Sequence, residues 1–510
     1  MKKRNILGAG LALGLMAVTN VNAQTKNENS DLQQLKAVVA SHPDSLEAHQ
    51  RFIEAFRKSI PGASFRNADS VTSLLAGQYA AWMKKYPKAA NVAFAIGEAY
   101  ADAESPKAKT YLLQAVKINP QLAKAWRDLA FDAERWGNES MSREYMGKAA
   151  AAAPDDPSYA FYHAMDFEHV DPGKWRNMIY DLAKRFPQSE RGAQGLYWLG
   201  ARSNDTTEKV KVFEQLKAAY PPEKFSWSSG GMDGLYNIYM NTTPGKALEL
   251  ATSLSNLEGW KAKDTLARKF ISVHQALDNH QYQQAGEILR GIRLPRYSSL
   301  KNALVLLTAQ AAHGAGNTAE AYRGLTELYA KEPTDAIKAA LDNYSKLLGK
   351  NENDVSKDVW AIRAQTTKPA PGFNLPQYLQ SGNASLEHFK GKVVLLTFWF
   401  PGCGPCRGEF PHFQNVINKF SKDEVVYVGI NVAMDQDPYV RPFMKGTGYS
   451  FIPLRDEKEE AQKAYKVRGE PSNFLIDQHG QLVFADFRTD GSNEQTLELM
   501  IGSLLSKGKN

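Results

Sequence analysis

Five prolines stand at nearly equal intervals and constrain the fold of this chain more than any other sequence feature. They are Pro87, Pro120, Pro154, Pro187 and Pro221, and successive members are 33, 34, 33 and 34 residues apart. The sequence from about residue 31 to residue 350 has helical periodicity throughout. A fixed period of this length predicts an internal repeat, in which each unit is one supersecondary element that stacks on its neighbours.

The period and the residue types resemble those of tetratricopeptide (TPR) repeats, whose unit is a helix hairpin closed by a proline after its second helix. Small residues let paired helices approach and larger ones fill the groove between them. Such residues occur at the expected offsets: Ala93, Ile96, Gly97, Tyr100, Ala108, Leu112 and Ala115 after Pro87, and Trp126, Leu129 and Ala130 after Pro120. The agreement runs from Ala80 to Pro221, and a Gly- and Ser-containing segment at 226–243 then interrupts the period. The resemblance implies a curved solenoid whose concave face binds a peptide or protein partner.

The only two cysteines, Cys403 and Cys406, lie where a buried strand is predicted to turn into a helix. The apolar run Val393–Phe400 ends at Pro401-Gly402, and a helical pattern follows. Free backbone N–H groups and the dipole at a helix start stabilise negative charge, so we expect a lowered pKa for the Cys403 thiol. Cys406 lies about one helical turn further and can close a disulfide with it. We therefore expect Cys403 to attack a partner disulfide and Cys406 to resolve the mixed disulfide.

Three other uses of the cysteine pair remain open from the residues alone. A structural zinc site needs about four ligands, so it would have to recruit scattered histidines such as His412. A purely structural disulfide is a second alternative, although so small a loop constrains the unfolded chain little. Two inert buried thiols are the third.

The residues around the pair resemble the thioredoxin superfamily and, within it, the exported TlpA/ResA-type thiol:disulfide oxidoreductases. Three separated motifs occur in the family's order: Phe398-Trp399, then Cys403-Gly404-Pro405-Cys406 with Glu409-Phe410-Pro411, then the run from Val467 to Asp477, VRGEPSNFLID. The resemblance extends from Pro371 to the C-terminus. It implies an α/β thioredoxin-like domain with a redox-active Cys403–Cys406 disulfide, no cofactor, and Pro471 as a cis-proline that faces the disulfide.

Several positions depart from the family's pattern. Gly402 replaces a tryptophan, which we expect to leave the first sulfur more exposed. Thr397 replaces the buried aspartate of cytoplasmic thioredoxins, whereas Glu409 matches a glutamate that TlpA-type proteins carry three residues after the second cysteine. A poorly solvated Glu409 would accept or supply the proton of the Cys406 thiol; the alternative is a solvated helix glutamate. Glu470 replaces the usual threonine before the cis-proline, and its charge would oppose the thiolate.

The first residues have the three parts of a secretory signal peptide. Lys2-Lys3-Arg4 precedes an apolar run from Ile6 to Val18, which is too short to span a membrane, and Val21-Asn22-Ala23 follows. We predict cleavage after Ala23, with an uncleaved anchor as the alternative, and a periplasmic location. With 510 residues the chain needs more than one core. The predicted segments are a signal peptide at 1–23, a TPR-like helical repeat region at 24–350, a linker at 351–370 and a thioredoxin-like domain at 371–510.

These features predict an exported protein-disulfide oxidoreductase that reduces disulfide-containing exported proteins, with the TPR-like region docking a protein partner. Reduction in an oxidising compartment would require a membrane electron donor. The alternatives are a TPR interaction scaffold with a vestigial redox domain and a thiol peroxidase on the same fold. Nucleic acid is not predicted as a partner. Removal of the signal peptide lowers the net charge from +7 to +4. The sequence contains no glycine-rich phosphate loop and no basic stripe with interleaved aromatics, so we predict no nucleic-acid binding.

Overall fold

The computed structural model describes residues 31–64, 67–295 and 298–507, and the chain forms two compact units, Met1–Tyr159 and Ala160–Asn510. The predicted signal peptide lies outside the described residues. A long helical region is followed by a mixed α/β domain, so the predicted fold class is confirmed. The assignment of the helices to the TPR family and the exact domain limits stay predictions.

The first unit is built from short helices that pack on their sequence neighbours. They are α1 (31–41), α2 (Leu46–Ser59), α3 (Ala68–Ser73), α4 (Ala76–Lys85), α5 (Ala90–Asp102), α6 (Ala108–Ile118), α7 (Ala123–Arg135) and α8 (Glu139–Ala152), and α9 (Pro157–Met165) crosses the boundary. Helix α5 packs on α6, and α7 packs on α8. A Cβ atom at Gly97 would lie 3.0 Å from Leu112 Cδ2. The small residue predicted between paired helices therefore permits their close approach.

The second unit continues with helices up to residue 363. They are α10 (Pro172–Arg185), α11 (Glu190–Arg202), α12 (Thr206–Ala219), α13 (Ser226–Thr242), α14 (Pro244–Ser253), α15 (Trp260–Asp278), α16 (Tyr282–Arg290), α17 (Lys301–Gly314), α18 (Thr318–Lys331), α19 (Asp335–Leu347) and α20 (Glu352–Arg363). The segment that interrupts the proline period is itself a helix, α13. A Cβ atom at its Gly231 would lie 2.5 Å from Leu216 Cδ2, so this glycine permits α13 to pack closely on α12.

The predicted linker contains regular structure. Helix α20 begins with a capping box, in which Asn351 and Asp354 each bond the other's backbone N–H, and it packs against α18. A two-residue strand, β1 (Lys368–Pro369), then pairs with the edge of the C-terminal sheet. The chain therefore reaches the thioredoxin-like domain without a long unstructured segment.

The C-terminal domain is a six-stranded sheet flanked by helices. Its elements are β2 (Asn374–Pro376), β3 (Asn383–Ser385), β4 (Val393–Trp399), α21 (Gly404–Ile417), β5 (Val425–Asn431), α22 (Asp437–Thr447), β6 (Ile452–Arg455), α23 (Glu460–Ala464), β7 (Ser472–Ile476), β8 (Gln481–Ala485) and α24 (Glu494–Lys507). The strand order is β1-β8-β7-β4-β5-β6, with β4 parallel to β5 and antiparallel to β7, and β2 and β3 pair separately.

Both faces of the central strand β4 are covered. Val393, Leu395 and Trp399 pack in one apolar cluster with α21 and α24, whereas Val394, Leu396 and Phe398 pack in a second cluster. Because successive side chains point to opposite faces, a strand covered on both sides is apolar throughout. Among the described residues, no helix has the length and apolar character needed to cross a bilayer.

Candidate active site

The two cysteines lie at the carboxyl end of β4, where the chain enters α21. Cys403 is the N-cap residue of α21, and its Sγ accepts a hydrogen bond from the Cys406 backbone N–H at 3.2 Å. Pro405 lies in the first turn, where its missing N–H removes no helical hydrogen bond. A thiolate on Cys403 would therefore meet an N–H donor and the positive end of the helix dipole.

Cys403 and Cys406 form a disulfide with a Cα–Cα distance of 5.3 Å. Cys403 is 4% exposed and Cys406 is fully buried, so a partner can reach only the first sulfur without opening the domain. The expectation that Gly402 leaves this sulfur more exposed than a tryptophan would stays a prediction. The Gly402 N–H donates to Oε1 of the buried Gln436 at 2.6 Å. An attacking client must therefore approach from the side of Cys403 rather than from that of Cys406.

Aromatic packing fixes α21 against the sheet. The Trp399 ring contacts Phe410, Phe443 and Phe451, with centroid distances of 5.4, 5.3 and 5.0 Å. All four side chains are buried. Because Phe410 lies one turn after Cys406, this cluster sets the distance of the disulfide from the end of β4.

Pro471 lies at the same edge of the sheet as the cysteines. The Glu470–Pro471 peptide bond is cis. The next residue, Ser472, begins β7 and stands opposite Phe398 near the carboxyl end of β4. Glu470 is half-buried and accepts a hydrogen bond from Gln462 Nε2 at 3.0 Å, and burial raises the pKa of its carboxyl. The expectation that the Glu470 charge opposes a thiolate here stays a prediction.

Glu409 is buried rather than solvated, at 6% exposure, and its carboxylate is held on three sides. Oε2 accepts a hydrogen bond from Asn473 Nδ2 at 2.8 Å, and Oε1 accepts one from the Thr489 backbone N–H at 3.0 Å. Arg488 Nη1 lies 3.7 Å from Oε2. Three residues separate Glu409 from Cys406, which places both on one side of α21.

The pKa of Glu409 is raised above its ordinary value. Burial is the largest cause and outweighs the two hydrogen bonds and the Arg488 charge, all of which favour the ionised form. A carboxyl whose pKa moves towards neutrality exchanges protons more readily near pH 7. Glu409 is therefore suited to accept the proton of the resolving thiol, as the sequence predicts; that role stays a prediction.

Sequence reasoning missed Asn473, which joins Glu409 to Thr397. Its Oδ1 accepts a hydrogen bond from the Thr397 hydroxyl at 2.8 Å, while Nδ2 also donates to the Phe487 carbonyl at 3.0 Å. Thr397, Asn473 and Glu409 are buried, and an unpaired polar group is costly in the interior. The only signal in the sequence was an amide at an otherwise apolar strand position in Ser472-Asn473-Phe474.

We expect Glu409→Gln to make stability less dependent on pH. Because the folded pKa of Glu409 is raised, the native state binds more protons than the unfolded chain between pH about 4.3 and the raised pKa. The wild type should lose free energy of unfolding relative to Glu409→Gln as pH rises through this window, by about 1.4 kcal/mol for each unit of pKa difference. Urea unfolding of both oxidised proteins from pH 4 to pH 8 measures the difference in their free energies of unfolding. If the stability of the wild type relative to Glu409→Gln stays constant or increases with pH, the prediction is wrong.

The geometry does not support the zinc alternative. Among the described residues, no group of three or more histidine, cysteine, aspartate or glutamate side chains is placed to hold a metal ion. His412, the histidine considered for such a site, instead pairs with Glu494, with 2.7 Å between Nδ1 and Oε1.

Comparison with known proteins places the similarity in the C-terminal domain. A family model described as the AhpC/TSA family matches residues 366–485. The thiol-disulfide oxidoreductase ResA of Halalkalibacterium halodurans is 31% identical over 120 residues, which cover 24% of this chain and 66% of that protein. The ResA of Bacillus thuringiensis subsp. konkukian is 31% identical over 133 residues, covering 26% of this chain and 75% of that protein.

Solved structures are also similar to a part of the chain. The thioredoxin domain of a thiol-disulfide oxidoreductase from Bacteroides vulgatus is 26% identical, with a TM-score of 0.24, over 26% of this chain and 96% of that one. Among the relatives compared by sequence, the chain spans just under two thirds, 66%, of the length of the ResA from H. halodurans. Each of these three proteins covers 24 to 26% of this chain.

Proposed function

Because this chain belongs to the ResA-like thiol-disulfide oxidoreductases, we propose that it exchanges disulfides with protein substrates through Cys403 and Cys406. The observation that carries the proposal is the position of Cys403, whose sulfur caps α21 within a disulfide to the wholly buried Cys406. One sulfur is thus reachable and suited to ionise, and the second is held within bonding distance for resolution.

In the reductive half-cycle, Cys403 and Cys406 supply the electrons and Glu409 accepts a proton. The Cys403 thiolate attacks one sulfur of a client disulfide, that bond breaks, and the client's other sulfur leaves as a thiolate that takes a proton from solvent. The Cys406 thiol passes its proton to the Glu409 carboxylate and attacks Cys403 Sγ, which releases the second client sulfur. The client gains two electrons, and the enzyme is left with the Cys403–Cys406 disulfide.

We propose that net reduction of exported proteins is the physiological direction. The support is the Cys-Gly-Pro-Cys pair, which resembles reducing thioredoxins, together with the predicted signal peptide and periplasmic location. In an oxidising compartment the Cys403–Cys406 disulfide must be reduced again after each cycle, so the proposal includes a membrane electron donor.

We expect a Cys406→Ser variant to trap clients as mixed disulfides through Cys403. The variant keeps the attacking sulfur but lacks the resolving one, so the first covalent step completes and the second does not. Non-reducing electrophoresis with mass spectrometry should show adducts on Cys403 that dithiothreitol releases. The double variant Cys403→Ser/Cys406→Ser is the matched control and should show none. A folded Cys406→Ser protein that forms no adduct contradicts the proposal.

The helical region is proposed to dock the client or another protein partner. The support is the repeat period and the paired packing of α5 on α6 and of α7 on α8. Hydrogen exchange on the trapped Cys406→Ser complex tests this role. Amides within residues 80–221 should exchange more slowly in the complex than in the free protein, and unchanged exchange there argues against docking on the repeats.

A further inference from the structure

A cavity of about 550 Å³ lies within the second unit, between helices of the repeat region and the C-terminal domain. Helices α18 and α20 form one side, and β8, the loop after it and α24 form the other. Apolar side chains form much of the wall: Ala330, Ile362, Val483, Phe484, Leu497 and Met500. Cavities of this volume accommodate small organic ligands.

Arg363 lines this cavity and is 3% exposed. Its guanidinium lies between two aromatic rings, 5.1 Å from the Trp360 centroid and 4.9 Å from the Phe484 centroid. Nε donates to the Ala330 carbonyl at 3.0 Å, but Nη1 and Nη2 have no hydrogen-bond partner within the described part of the chain. Burial lowers the pKa of Arg363 to about 10, so the group stays charged at neutral pH. A buried charge with unpaired donors is costly unless an acceptor meets it.

The other charged groups around the cavity are exposed or already paired. Arg488 lies beside Glu409, and Lys331 is exposed. The Glu332 carboxylate pairs with Lys301 Nζ at 3.0 Å, and Asp486 is exposed. Of the described residues that line the cavity, Arg363 is the buried cation whose Nη1 and Nη2 have no acceptor, and it can neutralise one negative charge.

We propose that this cavity binds a monocarboxylate with a small apolar body. Its two carboxylate oxygens accept hydrogen bonds from Nη1 and Nη2 of Arg363, because the planar guanidinium fork matches carboxylate geometry. Its apolar body packs against the wall formed by Phe484, Leu497 and Met500. A phosphate would bring more charge than one buried cation balances and no apolar surface. The cysteines do not line this cavity, although Arg488 and Thr489, which contact Glu409, do. The proposal does not rest on the proposed disulfide exchange.

Calorimetric titration of the full chain with hexanoate tests the proposal, with hexanamide as the uncharged isostere and inorganic phosphate as a second anion. At constant ionic strength, hexanoate should bind at least about tenfold more tightly than either ligand. Hexanamide lacks the negative charge that pairs with Arg363, and phosphate lacks the apolar body. Three results overturn the proposal: no binding of hexanoate, equal binding of hexanamide, or tighter binding of phosphate.

Two variants locate the site. Arg363→Gln should weaken hexanoate at least about tenfold, while Arg441→Gln, which removes an exposed arginine on α22, should leave the affinity unchanged. Circular dichroism checks folding, because Arg363 is buried. Thr366→Trp does not carry the same risk of misfolding, because Thr366 is exposed at the cavity rim. A large side chain there should obstruct entry to the cavity and weaken the affinity for hexanoate by a similar factor. Unchanged affinity in Thr366→Trp, or in folded Arg363→Gln, overturns the assignment.

Discussion

A Cys403→Ser variant is expected to reduce insulin disulfides at least about a thousandfold more slowly than the wild type, with dithiothreitol as electron donor and after subtraction of the uncatalysed rate. The serine hydroxyl does not ionise near neutral pH, so neither the helix start nor the Cys406 N–H can generate the nucleophile. Insulin turbidity measures the rate. The substitution changes one atom at a 4% exposed position, so the fold should be retained.

Cys406→Ser is the matched control for this loss. It should also lose turnover, but its Cys403 should still react once with a disulfide reagent, which separates attack from resolution. Equal insulin reduction by Cys403→Ser and the wild type would indicate an interaction scaffold with a vestigial redox domain. Cys403-dependent consumption of hydrogen peroxide without insulin reduction would indicate a thiol peroxidase.

An Asn473→Leu variant is expected to destabilise the C-terminal sheet by about 3 kcal/mol or more. Leucine has a similar volume, but it leaves Glu409 Oε2 and the Phe487 carbonyl without this donor and the Thr397 hydroxyl without its acceptor. Glu409 and Thr397 are buried, and Phe487 is partly buried. Each buried group left unpaired costs about 1–3 kcal/mol. Because the chain has two units, native-state hydrogen exchange of β4 and β7 is the appropriate local measurement.

Protection of β4 and β7 amides should fall by about two orders of magnitude in Asn473→Leu, which corresponds to about 3 kcal/mol. Asn418→Leu is the matched control, because Asn418 is exposed in the same domain, and it should change protection by less than about 0.5 kcal/mol. The pKa of Glu409 should rise further in Asn473→Leu, since the lost hydrogen bond lowers it in the wild type. Unchanged protection would show that the network does not stabilise the sheet.

Long, strongly patterned elements were predictable. The apolar run before the cysteines is β4, and the helical pattern predicted to follow it is α21, Gly404–Ile417. The strands β1, β2 and β3 were missed because they contain only two or three residues. So short an element has no periodicity of its own, and its conformation depends on the strand with which it pairs.

Some features of the functional site were predictable from the sequence and others were not. The helix-start position of Cys403 and the three-residue spacing from Cys406 to Glu409 are local features, so the sequence indicated both. The hydrogen bond from the Gly402 N–H to Gln436 was not predictable, because its acceptor lies 34 residues further along the chain.

Local sequence by itself determined the long helical region, the strand before the cysteines and the place of the cysteine pair at a helix start, because periodicity, turns and capping act between near neighbours. Only the tertiary structure decided which distant groups meet. Asn473 and Thr489 reach Glu409 across 64 and 80 residues, and Arg363 lies against Phe484 of another element. These contacts depend on the packing of the sheet and helices in space, and that packing sets the proton chemistry proposed for Glu409 and the unpaired charge at Arg363.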